Sequence, residues 1–191
     1  MGPPTRCARE TPVSGGKRLK SKNTLHVTLT AVFAAIYAVG VVFLAPISFQ
    51  VFQVRIADAL LPLAMIFGWP AVLGLSIGAF VANFFGGLGP IDIVGGSLAN
   101  LIAAYVAWKL AKRNQKSRVF LGIGLEIVII TLIVGTYLSY LLALPLEVGL
   151  LGVFLGSVVA IGILGTILFF ALSNKRITVL LRSYGLLTED D

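Results

Sequence analysis

Between two long apolar runs the chain reads APISFQVFQVRIADAL (residues 45–60), with Gln50, Gln53, Arg55 and Asp58 set among aliphatic and aromatic residues. Two amides, a guanidinium and a carboxylate together supply both donors and acceptors for the edge of a polar ligand. Phe49 or Phe52 could stack on or cover its plane. In extended backbone, alternation puts Phe49, Val51, Gln53 and Arg55 on one face and Gln50, Phe52, Val54 and Ile56 on the other. A structural role competes for the same residues: Asp58 as the N-cap of a following helix, and Arg55 as its ion-pair partner.

A second set lies downstream. Asp92, Gly96 and Asn100 recur at intervals of four, which aligns them on one helical face. Asp92 follows Pro90 and also suits a helix cap or first turn. Asn100 falls mid-helix, where an amide needs partners more than it does in water. Asn83 ends the preceding apolar segment, so Arg55, Asp58, Asn83 and Asp92 are candidates to converge on one pocket. Glu126 is an ionisable residue at membrane depth, which marks it as a functional candidate. Its closeness to the basic run KLAKRNQKSR leaves snorkelling or a local ion pair equally open.

Other chemistries find no support. GLSIG at residues 74–78 matches the spacing of a serine-nucleophile elbow, but that motif needs a strand–turn–helix setting and a histidine partner. The only histidine is His26, at the far end of the first apolar run, and the only cysteine is Cys7. They allow no intrachain disulfide and no Cys/His zinc cluster. GGKR at residues 15–18 is not a phosphate-binding loop, since Thr11 and Arg18 stand where Gly and Ser or Thr are required. No enzymatic activity and no cofactor are therefore expected. A solute moved uphill would need a partner or an ion gradient to drive it.

The elements that position these residues follow from composition. Of 191 residues, 58% are hydrophobic and 12% charged, where soluble domains carry roughly a quarter charged. The chain is an integral membrane protein. Its net charge of +7 does not point to nucleic acid, because every Lys and Arg except Arg55 falls in one of three clusters. These precede the first span, lie in residues 109–118, and follow the last span. Basic clusters collect on the cytoplasmic side, so both termini are expected there, with an even number of crossings between clusters.

Six apolar segments satisfy this: Leu25 to Ala45, a short Ala59 to Phe67, Ala71 to Phe85, Ile91 to Trp108, Val119 to Leu144 and Val148 to Leu172. The fold expected is an all-α six-helix transmembrane bundle in a cell membrane, with a second helix too short to cross alone. A basic arm (1–24) would precede the membrane domain (25–172), and a tail (173–191) would follow it. Ala31, Ala34, Ala35 and Ala38 give the first helix two small-xxx-small pairs that let another helix approach closely, whether a partner's or one of the same bundle. Gly74/Gly78 and Gly152/Gly156 read as internal packing.

The stretches APISFQVFQVRIADALLPL and GWPAVLGLSIGAFVANFFGGLGPIDIVGGSLANLIAAYVAW resemble the QueT family. These are substrate-binding S components of energy-coupling factor (ECF) transporters for queuosine precursors. The resemblance is strong from Ala31 to Trp108 and weaker beyond. The family's APISF, Q-x-R and G-x-x-D segments are matched by Ala45 to Phe49, by Gln53 and Arg55, and by Gly89 and Asp92. Asp58 stands where a glutamate is expected. Gly156-Ser157 stands where the family pattern has Gly-Glu, and Ser157 cannot supply a carboxylate to a cationic aminomethyl group.

The resemblance implies a small, planar, nitrogen-rich ligand such as a 7-deazaguanine. Gln53, Asn83 and Asn100 would bond its edges, Asp58 or Asp92 would pair with a cation, and Phe49 or Phe52 would close the site. It also implies separate ATPase subunits and a transmembrane T component that docks on the alanine face of the first helix. The alternatives are an S component for another vitamin or nucleobase and, from a different class, a structural membrane protein whose polar loop only caps helices.

Overall fold

The computed structural model describes residues 15–44, 55–110 and 115–183. Among these there is no strand, and the helices follow the expected order. We number them α1 (Gly15–Phe43), α2 (Ile56–Phe67), α3 (Trp69–Gly86), α4 (Pro90–Leu110), α5 (Lys116–Leu141), α6 (Leu146–Leu172) and α7 (Lys175–Ser183). Five of them, α1 and α3 to α6, are long and apolar enough to cross a membrane. The bundle is thus all-α with a short second segment, as the sequence predicts. Helix α1 starts at Gly15, inside the basic arm.

Helix α2 opens with eight residues wound as tight 3₁₀ helix and closes with four of α-helix. Its rise is roughly 22 Å, against about 30 Å of hydrocarbon. It begins three residues before the expected Ala59, because the Asp58 N–H already bonds the Arg55 carbonyl at 2.9 Å. Pro62, inside the tight stretch, brings no N–H to an α-helical ladder. Gly68 ends α2 at φ 64°, a conformation that a side chain would resist, and Pro70 then starts α3 where its missing N–H costs nothing. At the other end of α3, Gly87 adopts the left-handed φ of 74° that turns the chain into α4.

Helix α1 packs on α3, α3 on α4, α4 on α5, and α5 on α6. Helix α2 touches all five and bridges α1 and α6, which is why Leu61, Ala64 and Ile66 are fully buried. Gly74 and Gly78 let α1 and α3 meet backbone to backbone. A Cβ at Gly74 would press on the Thr30 carbonyl and Phe33, and one at Gly78 on the Ala34 carbonyl and Tyr37. Between them Ser76 donates to the Ser97 carbonyl of α4 at 2.9 Å. The GLSIG motif is thus a packing device joining three helices.

The outer surface is apolar, as lipid requires: Val39, Phe84, Leu132 and Ile167 are all exposed. Helix α1 is the most peripheral span, with 17% of its membrane window buried against 50% for α3. At the end where α1 begins, Trp69, Tyr105 and Trp108 form an aromatic cluster with the Lys109 ammonium 4.2 Å over the Trp108 ring. Such aromatic groups mark a membrane interface.

Candidate functional site

Helices α2 and α4 begin, and α3 ends, at the end of the bundle opposite the start of α1. Each contributes a buried polar residue there. Arg55 precedes α2, Asp58 sits in its first turn, Asn83 lies near the end of α3, and Asp92 lies in the first turn of α4. All four are buried, Asn83 and Asp92 completely.

Asp92 is the hub. Its Oδ1 accepts from the Tyr137 hydroxyl of α5 at 2.8 Å and faces Arg55 Nη2 at 3.4 Å. Its backbone carbonyl accepts from Asn83 Nδ2 at 2.8 Å, pinning α3 to α4. Asp58 Oδ1 accepts from the Tyr37 hydroxyl of α1 at 2.5 Å. Asp58 is therefore not the cap of α2: Arg55 holds that position, and no side chain caps the helix. Asn100, two turns below Asp92 on the same face, is buried as well.

Gly96 makes room for this meeting. A Cβ there would collide with the Asn83 amide and reach within 3.2 Å of the Tyr137 hydroxyl and 3.5 Å of Arg55 Nη1. A Cβ at Gly95 would strike the Tyr137 ring at 2.9 Å. Three helices and the start of α2 thus converge over two adjacent glycines.

Asp92 Oδ2, Asn83 Oδ1 and Asn100 Nδ2 are buried atoms of this cluster that make no hydrogen bond among the described residues. Two are acceptors and one a donor. A buried group of this kind costs about 1–3 kcal/mol while unpaired, and a ligand with donors toward Asp92 and Asn83 and an acceptor toward Asn100 would meet all three.

Of the residues expected to bind substrate, Arg55, Asn83 and Asp92 come together directly, Asp58 is held by Tyr37, and Asn100 lies buried two turns along α4 from Asp92. Phe49 and Gln53 lie outside the described residues. Tyr37 and Tyr137 went unnoticed in the sequence because a tyrosine in an apolar span looks like packing or an interface anchor. The available signal was their position, each deep enough in its span to meet the polar end.

Glu126 is fully buried, and both carboxylate oxygens lack a hydrogen-bond partner among the described residues. That burial excludes snorkelling. Ser157 is buried too, in α6. On α1 the four alanines divide: Ala31 and Ala35 are exposed, whereas Ala34 and Ala38 are half-buried.

Fold and site together define a multi-pass membrane protein with a polar cluster buried at one end of its bundle. A family profile described as QueT transporter matches residues 27–174, most of the chain, and the protein belongs to that family. No curated protein and no solved structure gave a match.

Proposed function

We propose that the chain is the substrate-binding S component of an ECF-type importer, and that its ligand is a 7-deazaguanine precursor of queuosine. The observation that carries this is the set of unpaired buried atoms around Asp92. A guanine-type edge offers neighbouring N–H donors and a carbonyl acceptor. Asp92 Oδ2 and Asn83 Oδ1 suit the donors, and Asn100 Nδ2 suits an acceptor farther down the ligand. Asp58 and Asp92 are the acids nearest to hand for a cationic substituent, and the segment holding Phe49 and Gln53 would close over the ligand.

In this reading both termini and the aromatic cluster face the cytoplasm, and the site opens outward. The basic clusters support that orientation. Energy comes from separate ATPase subunits through a T component, which docks on the exposed side of α1 at Ala31 and Ala35. Ser157, in place of a family acid, favours a second reading in which the ligand is another vitamin or nucleobase.

Calorimetric titration of the purified chain with 7-aminomethyl-7-deazaguanine, against guanine and thiamine, tests the ligand. Selective submicromolar binding, about −8 kcal/mol or better, is expected. A folded, monodisperse sample that ignores the deazaguanine rejects this substrate. Co-purification tests the assembly: an ATPase pair and a T component should accompany the tagged chain, and their absence counts against the ECF assignment.

A further inference from the structure

Glu126 stands outside the cluster just described, yet it belongs to the same interior. It lies ten residues into α5, about 15 Å from the end at Lys116. One turn before it, Gly122 abuts Met65 of α2, and the next residue, Ile127, abuts Gly162 of α6. Glu126 is therefore held between the short helix and the stretch Val158–Gly165, where α6 widens into π-helix. Such widened turns recur at functional sites.

The charge balance of this interior is uneven. Among the described residues the buried acids are Asp58, Asp92 and Glu126, and the buried base is Arg55. Arg55 lies with Asp92 at the end of the bundle, whereas Glu126 lies far below it. An isolated carboxylate at this depth costs several kcal/mol or takes up a proton. The described residues include no group of three acidic, histidine or cysteine side chains placed to hold a metal ion, so the deficit fits an organic cation better than a bare metal.

We propose that Glu126 recognises an ammonium group carried by the ligand, as the specificity-determining residue at the floor of the site. This rests on the functional reading above, which it extends from the heterocycle's edge to its substituent. The Asp92–Gly96–Asn100 face, about 12 Å from first to last residue, would run along the ring system. The substituent would point down the bundle toward Glu126.

The test compares full-length wild type with Glu126→Gln, titrated with 7-aminomethyl-7-deazaguanine and its uncharged 7-cyano analogue. Wild type should favour the ammonium ligand by about tenfold or more, and Glu126→Gln should reduce that preference to about twofold. A preference that survives the substitution overturns the proposal. A ligand-free arm stands apart from the choice of substrate. Glu126→Met should melt at or above the wild-type temperature, since an unmet buried charge gives way to an apolar side chain of similar size. A clear drop in melting temperature means that Glu126 is already satisfied within the fold, and overturns the proposal. Failure of both compounds to bind wild type, with Glu126→Met at or above the wild-type temperature, rejects the deazaguanine substrate while supporting the unmet charge at Glu126.

Discussion

At one end of α2 the Asp58 carboxylate is buried under the Tyr37 hydroxyl; at the other, Phe67 is buried with its ring edge-on to Phe33 at 5.2 Å. The same short helix thus anchors both halves of the bundle by different physics. The end near the start of α1 is held by dispersion and close backbone approach, with its polar groups in the interface. The opposite end buries polar groups whose partners come from α1, α3, α4 and α5, and leaves part of their bonding capacity unspent. The first arrangement gives stability and needs no ligand. The second carries a cost that a ligand would relieve, which supports the proposal of a binding site there.

Substitutions at the two ends should therefore separate. Phe67→Ala removes a buried aromatic and is expected to cost about 3–5 kcal/mol of stability, with ligand affinity of the folded fraction unchanged. Denaturation in detergent and titration at low temperature measure the two, and weakened affinity would break the separation. Asp92→Ala removes the hub of the polar end and should weaken ligand binding by about 2–5 kcal/mol. Asp92→Asn should lose about tenfold, or 1.4 kcal/mol. Wild-type affinity in Asp92→Asn would take Asp92 out of the site.

Gly96→Ala sharpens the comparison, because it adds one methyl group at the point where Asn83, Tyr137 and Arg55 meet. The added volume should cost about 1–3 kcal/mol, felt as lost affinity at least as much as lost stability. A purely structural loss would make the cluster a packing motif. The smallest effect on the isolated chain is expected at Ala35→Leu, on the exposed side of α1, within about 0.5 kcal/mol of wild-type stability. Uptake in cells should nonetheless fall, if that side meets the T component. Retained uptake would move the docking surface elsewhere.

Much of this was legible in one dimension. The apolar runs, the three basic clusters and the Gly and Pro punctuation at Gly68-Trp69-Pro70 and Gly86 to Pro90 lead to six segments, because hydrocarbon thickness and backbone sterics act locally. Candidate residues were legible for a related reason. Arg55, Asn83, Asp92 and Asn100 are conspicuous in so apolar a chain, since burying them is expensive.

What the sequence determined by itself is the membrane class, the helix order, the family and the identity of the polar outliers. Tertiary structure decided the partnerships. It set Asp58 under Tyr37 rather than at a helix cap, brought Tyr137 to Asp92 across 45 residues, and split the four alanines of α1 between the bundle and its surface. It also turned Glu126 inward, with no partner among the described residues. These outcomes depend on which helix faces which, and at what rotation. Hydrophobic periodicity is weak in a chain that is apolar on nearly every face, so only the packing of six helices against one another could choose among them.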